Sequence, residues 1–314
     1  MDIKRIAMLG MVDGNGHPYS WSAMFNGYDF DKMEECPFPV IPRYLEKEPK
    51  WNFGVCGAKV THIWTDDPND ALHVAAASKI PNVAERPEDV IGEVDAVIIA
   101  TDRGDEHVWR CRPFVEAGLP VFVDKPLADN VDDLKQFIKW VREGAMIMSS
   151  SSLRYTKEYM PYFESTHELG ELRYVNMTMN KSWERYGIHA LEPVFRITGP
   201  GYVSVQNTGD KDRNIIHLCH KDGIDVTLAV IYDMAASELK LVGTRDSVTV
   251  PLKDSYYSFR TQLTEFVKYA ESGTRPYPFE ETVELMEIII AGIRSREEGG
   301  RRVELSEIKK ELEA

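Results

Sequence analysis

The segment Asp95-Ala-Val-Ile-Ile-Ala-Thr101 constrains the fold more than any other part of the chain. Five consecutive apolar residues without polar alternation describe a strand buried on both faces. Only a sheet with helices on both sides buries such a strand, and the neighbouring sequence alternates accordingly. Ile3 to Leu9 and Val60 to Thr65 read as further buried strands, the second stopped by Asp66-Asp67-Pro68. Ala71 to Ala77 reads as helix. After Thr101 a helix carries Val108, Cys111, Phe114 and Val115 on one face, with Asp105 placed to cap it and Gly118 to end it. Val121-Phe-Val123 is the next strand. Asn130 and Asp133 then open a helix with its stripe at Leu134, Phe137, Ile138 and Val141, and Ala145 to Met148 closes the series. The pattern predicts a doubly wound parallel sheet over residues 1–150. Its ligand side lies at the carboxyl ends of the strands, after Leu9, Thr65, Ala100 and Val123.

Residues 151–314 read differently. Glu171 to Met179, Ile215 to His220, Ile224 to Tyr232, Glu238 to Val242 and Ser247 to Val250 are strands with few helices between them. Asp222-Gly223 marks a hairpin. These predict an α/β domain with a large, mostly antiparallel open sheet, closed by helices over Phe259 to Ala270 and Val283 to Arg294. Between the first helix and the second strand stands a Pro-rich insertion near 30–53. The net charge of −14 and the lack of a Lys/Arg cluster exclude a general polyanion binder. The four cysteines form no C-x-x-C and no paired metal-ligand spacing, which predicts no metal site and suits a reducing compartment. No apolar run is long enough for a membrane span, so a cytoplasmic protein is expected.

Three segments together resemble the Gfo/Idh/MocA family, whose members include glucose–fructose oxidoreductases and inositol dehydrogenases. They are Asp95 to Thr101, the helix end Glu116-Ala-Gly118, and Val121-Phe-Val-Asp-Lys-Pro-Leu127. The tail from Phe266 to Pro276 and from Arg294 to Leu305 resembles the family's last helices. The resemblance implies a Rossmann-type domain followed by the open-sheet domain. It also implies hydride transfer between NAD and a hydroxyl of a sugar or cyclitol, and a homodimer or homotetramer. It places Lys125, from Asp124-Lys125-Pro126, where nicotinamide meets substrate, and makes His189, in Gly187-Ile-His-Ala-Leu-Glu192, the acid/base. The chemistry agrees: an imidazole can take the hydroxyl proton near neutral pH, and an ammonium stabilises the developing alkoxide.

Gly10, Met11 and Val12 are expected under the pyrophosphate, Asp66 at the adenosine ribose, Lys125 at the nicotinamide, and Thr101 and Asp124 as further cofactor contacts. Arg154, Tyr155, Trp183, Tyr186 and Glu192 are expected on the substrate side, with His17, Trp21 and His107 near the cleft. Three positions depart from the family pattern. The loop Gly10-Met-Val-Asp-Gly14-Asn-Gly16 lacks G-x-G-x-x-G, although Pro18 suits a helix start whose N-terminus binds phosphate. The second strand ends on Thr65 with Asp66 one residue later; Asp66, and the lack of a following Arg, favour NAD over NADP. Arg185 stands four residues before His189, where the family often has Asp; it is expected to lower the histidine's pKa, with Glu192 as the alternative partner. The same residues admit NAD-assisted oxidation–elimination of a glycoside, or a ligand-binding relative without catalysis.

Overall fold

The computed structural model describes residues 2–235 and 238–314. Six strands form the first sheet: β1 (Arg5–Leu9), β2 (Lys59–Trp64), β3 (Asn82–Val83), β4 (Ala96–Ile99), β5 (Val121–Val123) and β6 (Ile147–Met148). All are parallel, in the order β3-β2-β1-β4-β5-β6, which is the Rossmann arrangement. β4 and β5 are buried throughout, as their continuous apolar runs require.

The helices of this half are α1 (His17–Asn26), α2 (Phe30–Glu34), α3 (Val40–Leu45), α4 (Pro68–Ala77), α5 (His107–Glu116) and α6 (Val131–Arg142). Asp67 caps α4 by accepting from Asn69 N, and Asn130 caps α6 by accepting from Asp133 N. Asp105 does not cap α5. It lies inside a 3₁₀ turn over Gly104–Glu106, which moves the helix start to His107. The Pro-rich insertion becomes α2, α3 and a 3₁₀ turn at Lys50–Asn52. Its Met33, Cys36, Ile41 and Leu45 pack in one apolar cluster with α1 and with Ile6, Met8 and Ile98 of the sheet.

After the short α7 (Met160–Glu164) come β7 (Leu172–Asn180), α8 (Trp183–Thr198), β8 (Tyr202–Asn207), β9 (Arg213–His220), β10 (Asp225–Ile231), β11 (Glu238–Gly243) and β12 (Ser247–Pro251). The chain ends in α9 (Ser255–Ser272), α10 (Phe279–Glu297), β13 (Val303–Glu304) and α11 (Leu305–Glu313). The second sheet runs β12-β11-β7-β10-β9-β8-β13. It is mostly antiparallel, but β7 and β10 pair in parallel. The turn at Asp222-Gly223 joins the antiparallel β9 and β10, with Gly223 at φ +75°. β8, β13 and α11 are elements beyond those read from the sequence.

Helix α9 turns back to the first sheet: Leu263, Phe266 and Val267 share the cluster of Ile6 and Phe122. One face of the second sheet packs on α8 and α10, and the other shows Ile215 at its surface. No helix of the described residues is long and apolar enough to cross a membrane.

Candidate active site

The carboxyl ends of β1, β4 and β5 meet the start of α8, and the charged residues of both halves converge there. Lys125 follows β5 and is 2% exposed, so it is a buried cation and not a surface lysine. Its Nζ lies 3.2 Å from Asp102 Oδ2 and 4.7 Å from the centre of the Tyr186 ring. Asp102 stands just past β4 and is fully buried. It also accepts from Arg185, at 2.7 Å from Nη2 and 3.2 Å from Nε. Burial alone would raise the Asp102 carboxyl, but Lys125 and Arg185 outweigh it and hold the group well below the usual carboxylate range. Burial alone would likewise lower Lys125, but Asp102 and Asp124 outweigh it, so the ammonium stays charged.

Asp124 is a second buried hub. It accepts from the backbone N of Lys125 at 2.8 Å and from Asn15 Nδ2 at 3.0 Å, and His17 Nδ1 lies 2.7 Å from its Oδ2. His17 stacks on Trp21 with centroids 4.2 Å apart. With Nδ1 turned to a carboxylate, Nε2 is left as the free ring nitrogen. The sequence brought His17 to the cleft but not to Asp124, because the two residues are joined only by the sheet order.

His189 sits in the second turn of α8 and is buried. Its Nδ1 lies 2.6 Å from Ser151 Oγ, and its ring meets Tyr186 edge-on at 4.8 Å. Lys125 and His189 thus flank one tyrosine ring. Burial, then Lys125, then His17 push the imidazole well below its ordinary pKa, so it is neutral at physiological pH. The direction is as expected, but Arg185 is not its main cause, since that guanidinium is bound to Asp102. Glu192 is not a direct partner either. It accepts from Arg154 Nη1 at 2.8 Å and from Ser151 N at 3.1 Å, and reaches His189 only through Ser151.

The remaining candidates divide. Tyr186 belongs to the centre, with Lys181 Nζ 4.3 Å above its ring and 2.6 Å from its hydroxyl. Trp183 does not: it is fully buried, donates Nε1–H to Ile289 O at 3.0 Å, and packs against Gly187 and Gly292. A Cβ at Gly292 would come within 2.5 Å of that ring, so the pair is a helix-packing device. Arg154 lies behind Glu192 and also pairs with Glu281; with Tyr155 it lines a separate cavity of about 300 Å³. His107 is buried, with ring nitrogens 2.8 Å from Thr101 O and 3.2 Å from Leu127 O.

On the nucleotide side, Gly10 ends β1 at φ +84°, and a Cβ there would lie 2.7 Å from Thr101 Cγ2. Thr101 Oγ1 is buried without a hydrogen-bond partner, an acceptor and donor open to a bound group. Met11 packs beside the α1 cluster, and Val12 O accepts from Asn15 N at 3.0 Å. The helix N-terminus expected to hold phosphate is already occupied. His17 N donates to Asn15 Oδ1 at 3.0 Å, Tyr19 N donates to Gly16 O at 3.1 Å, and Pro18 has no N–H. Gly16 is fixed by Phe38 and Ile41 of the insertion, 2.6 Å from its Cβ position, and not by a ligand. Asp66 lies past β2, where Arg110 Nη2 meets it at 2.8 Å. No arginine directly follows Asp66 in the sequence, but the fold brings one to this end. It comes from α5, 44 residues away in the chain.

The structure also gathers groups outside this centre. His217, Cys219 and Asp225 face each other across β9 and β10 with ligand atoms within 4.8 Å of one another, a grouping set by hairpin register and invisible to spacing along one strand.

Residues 40–151 match the Gfo/Idh/MocA family model, described as an oxidoreductase family with an NAD-binding Rossmann fold. A comparison with curated proteins finds no match. Among solved structures, the chain is similar to a myo-inositol 2-dehydrogenase from Lactobacillus plantarum, with a TM-score of 0.76 and 15% identity over 96% of this chain and 99% of that one. It is similar to a myo-inositol dehydrogenase from Lactobacillus casei in complex with NAD(H) and myo-inositol, with a TM-score of 0.75 and 14% identity over 96% of each chain. A probable dehydrogenase from Thermotoga maritima gives 0.75 and 15% over 97% and 99%. At these identities the likeness is one of fold.

Proposed function

Residues 40–151 match the Gfo/Idh/MocA oxidoreductase family, and from that premise we propose that the chain is a member that moves a hydride between NAD and a secondary hydroxyl of a sugar or cyclitol. The observation that carries this reading is the buried Lys125 and the neutral His189 on one Tyr186 ring, at the carboxyl edge of a Rossmann sheet. Residues 1–150 bind the nucleotide, and residues 151–314 supply the substrate side and the oligomer contact. The residues fit the cofactor at both ends. Asp66 suits the adenosine side, Gly10 the close approach of the pyrophosphate, and the unpartnered Thr101 hydroxyl the nicotinamide side.

When bound, NAD would supply the acceptor for the hydride of the carbinol carbon. His189, neutral and held through Nδ1 by Ser151, takes the hydroxyl proton on Nε2. Lys125 stabilises the alkoxide as that proton leaves, and Asp102 keeps the ammonium charged although it is buried. Alcohol becomes ketone; the proton stays on the imidazole and leaves to solvent after product release.

Reduced-nicotinamide absorbance, followed with NAD and a panel of cyclitols, aldoses and sugar acids, tests the reading. Turnover with at least one polyol is expected, and failure to bind NAD removes the proposal. One observation favours a second reading: His17 on Asp124 is a second acid–base pair at the same centre. Oxidation–elimination needs a second such group, because a C–H proton leaves and the departing oxygen gains one. NAD that copurifies, with glycoside cleavage and no net NADH, marks that route.

A further inference from the structure

The adenosine end holds a guanidinium that the family reading does not use. Arg110 is on the first turns of α5, and its side chain is only 8% exposed. Its Nη2 lies 2.8 Å from Asp66 Oδ1 and 2.8 Å from Glu106 Oε2, and Nε donates to Glu106 at 2.9 Å. Its Cζ lies 4.4 Å from the centre of the Trp109 ring. Its Nη1 is 3.4 Å from the Cβ position of Gly10. The guanidinium is therefore wedged between the turn glycine of β1 and the acid after β2. A ribose held by that acid lies against it.

We propose that Arg110 is a masked 2′-phosphate receptor, and that the Asp66 carboxylate, beyond its expected place at the ribose, is what covers it. This rests on the nucleotide reading above. Asp66 has one oxygen on Arg110, and the second remains to accept from ribose hydroxyls. A 2′-phosphate meets the Asp66 charge first and is repelled. The neighbouring charges keep the balance close. Arg103 and Arg110 face Asp66, Glu106 and Asp105, for a net of −1. Asp67 is turned away to cap α4, and Glu88 stands on the far wall of the small cavity beside Arg110. Removing Asp66 brings the cluster to neutrality and leaves Nη2 with Glu106 as its one carboxylate partner. Removing Glu106 as well makes it positive, with the guanidinium still supported by Trp109. Planar, bidentate recognition of phosphate is what a guanidinium does best.

Calorimetric titration of nucleotide-free protein with NAD and NADP tests this without any substrate. The wild type is expected to favour NAD by at least about tenfold. Asp66→Ser should lower that ratio by about tenfold or more, through weaker NAD and tighter NADP. Asp66→Ser/Glu106→Gln should move it further toward NADP. Adding Arg110→Gln to Asp66→Ser should abolish the NADP gain, which a general relief of negative charge would leave in place. An unchanged ratio in Asp66→Ser overturns the inference, as does NADP affinity that survives Arg110→Gln or a wild type that prefers NADP. A wild type that binds neither nucleotide overturns the function proposed above as well. NAD binding with an unaltered ratio overturns this inference alone.

Discussion

Asp102→Asn probes the charge balance on which the site rests. The change keeps side-chain shape and removes one buried negative charge between two cations. At 3.2 Å from Lys125 Nζ, a pair with an effective dielectric near 20 is worth roughly 5 kcal/mol. The amide oxygen still accepts one hydrogen bond, and Arg185, partly exposed, can turn to water. The expected loss at pH 7 is therefore about 3 kcal/mol, the lower part of the range for breaking one side of a buried pair. The pH dependence gives a second signature. In the wild type the Asp102 carboxyl is depressed, so its contribution is complete above the unfolded carboxyl pKa and is lost as pH falls through the folded one. In the variant, burial of Lys125 is opposed by Asp124 and Tyr186 without Asp102, and the folded lysine is expected to fall below its unfolded value. The unfolded chain then binds more protons at alkaline pH, so variant stability rises with pH. Urea unfolding followed by tryptophan fluorescence at pH 7 and 9.5 measures both effects. Asp105→Asn, with its carboxylate exposed on the 3₁₀ turn, serves as the silent control. A deficit below about 1 kcal/mol at pH 7, or one that does not shrink at pH 9.5, refutes the reasoning.

The other expectations concern catalysis and one helix contact. Lys125→Met should cut turnover by about 10²–10³-fold while NAD affinity, read by calorimetry, changes only a few-fold. Because burial and then Lys125 push His189 well below its ordinary pKa, wild-type oxidation should run without an acid limb down to about pH 6. His189→Asn should slow it by roughly 10²–10⁴, and a wild-type limb centred at or above pH 6.5 would move the base elsewhere. The Glu287 carboxyl is pushed up to about 7 by burial, against Lys309 and with help from Glu284. Its stabilising, protonated state is present at low pH and lost as pH rises through 7, so Glu287→Gln should stabilise by about 2 kcal/mol at pH 8 and little at pH 5, measured by thermal melts.

The first sheet was legible because parallel strands are buried on both faces, and such strands leave uninterrupted apolar runs such as Ala96–Ile99 and Val121–Val123. β8 was not legible, since Tyr202-Val-Ser-Val-Gln-Asn207 mixes polar and apolar residues, and β13 has only two residues. α8 was obscured by Gly187 and by Pro193, both in its interior. Within the candidate site, the meeting of Lys125, His189 and Tyr186 could be anticipated because one motif or one helix carries each; their roles stay proposals. Asp102, Lys181, Arg110 and the His17–Asp124 contact could not, because each depends on topology joining distant segments. Two weak signals existed. Asp102 is among the first residues past a buried strand, on the ligand side, and Arg110 stands four residues after Glu106 on one helix face.

The departures from the family pattern are connected once the contacts are in view. An acid four residues before His189 would face the centre from α8. Here a cation stands there, and the acid has its counterpart in Asp102 at the end of β4, which binds both Arg185 and Lys125. The glycine loop changes with it. Arg185 Nη2 donates to Asp13 O at 3.0 Å, and Lys181 Nζ donates to Gly14 O at 3.1 Å. The loop thus turns carbonyls toward the cations of α8. A loop built only to cradle pyrophosphate presents amides, and glycines at fixed places let it do so. This loop also serves as one side of a clasp between the two halves of the chain, and Val12 with its Cβ is compatible with that use. The same cations that fasten the loop flank Tyr186 and Lys125. The closed contact and the electrostatics of the centre are therefore one arrangement, in which the loop's missing glycines and the reversed charge on α8 belong together.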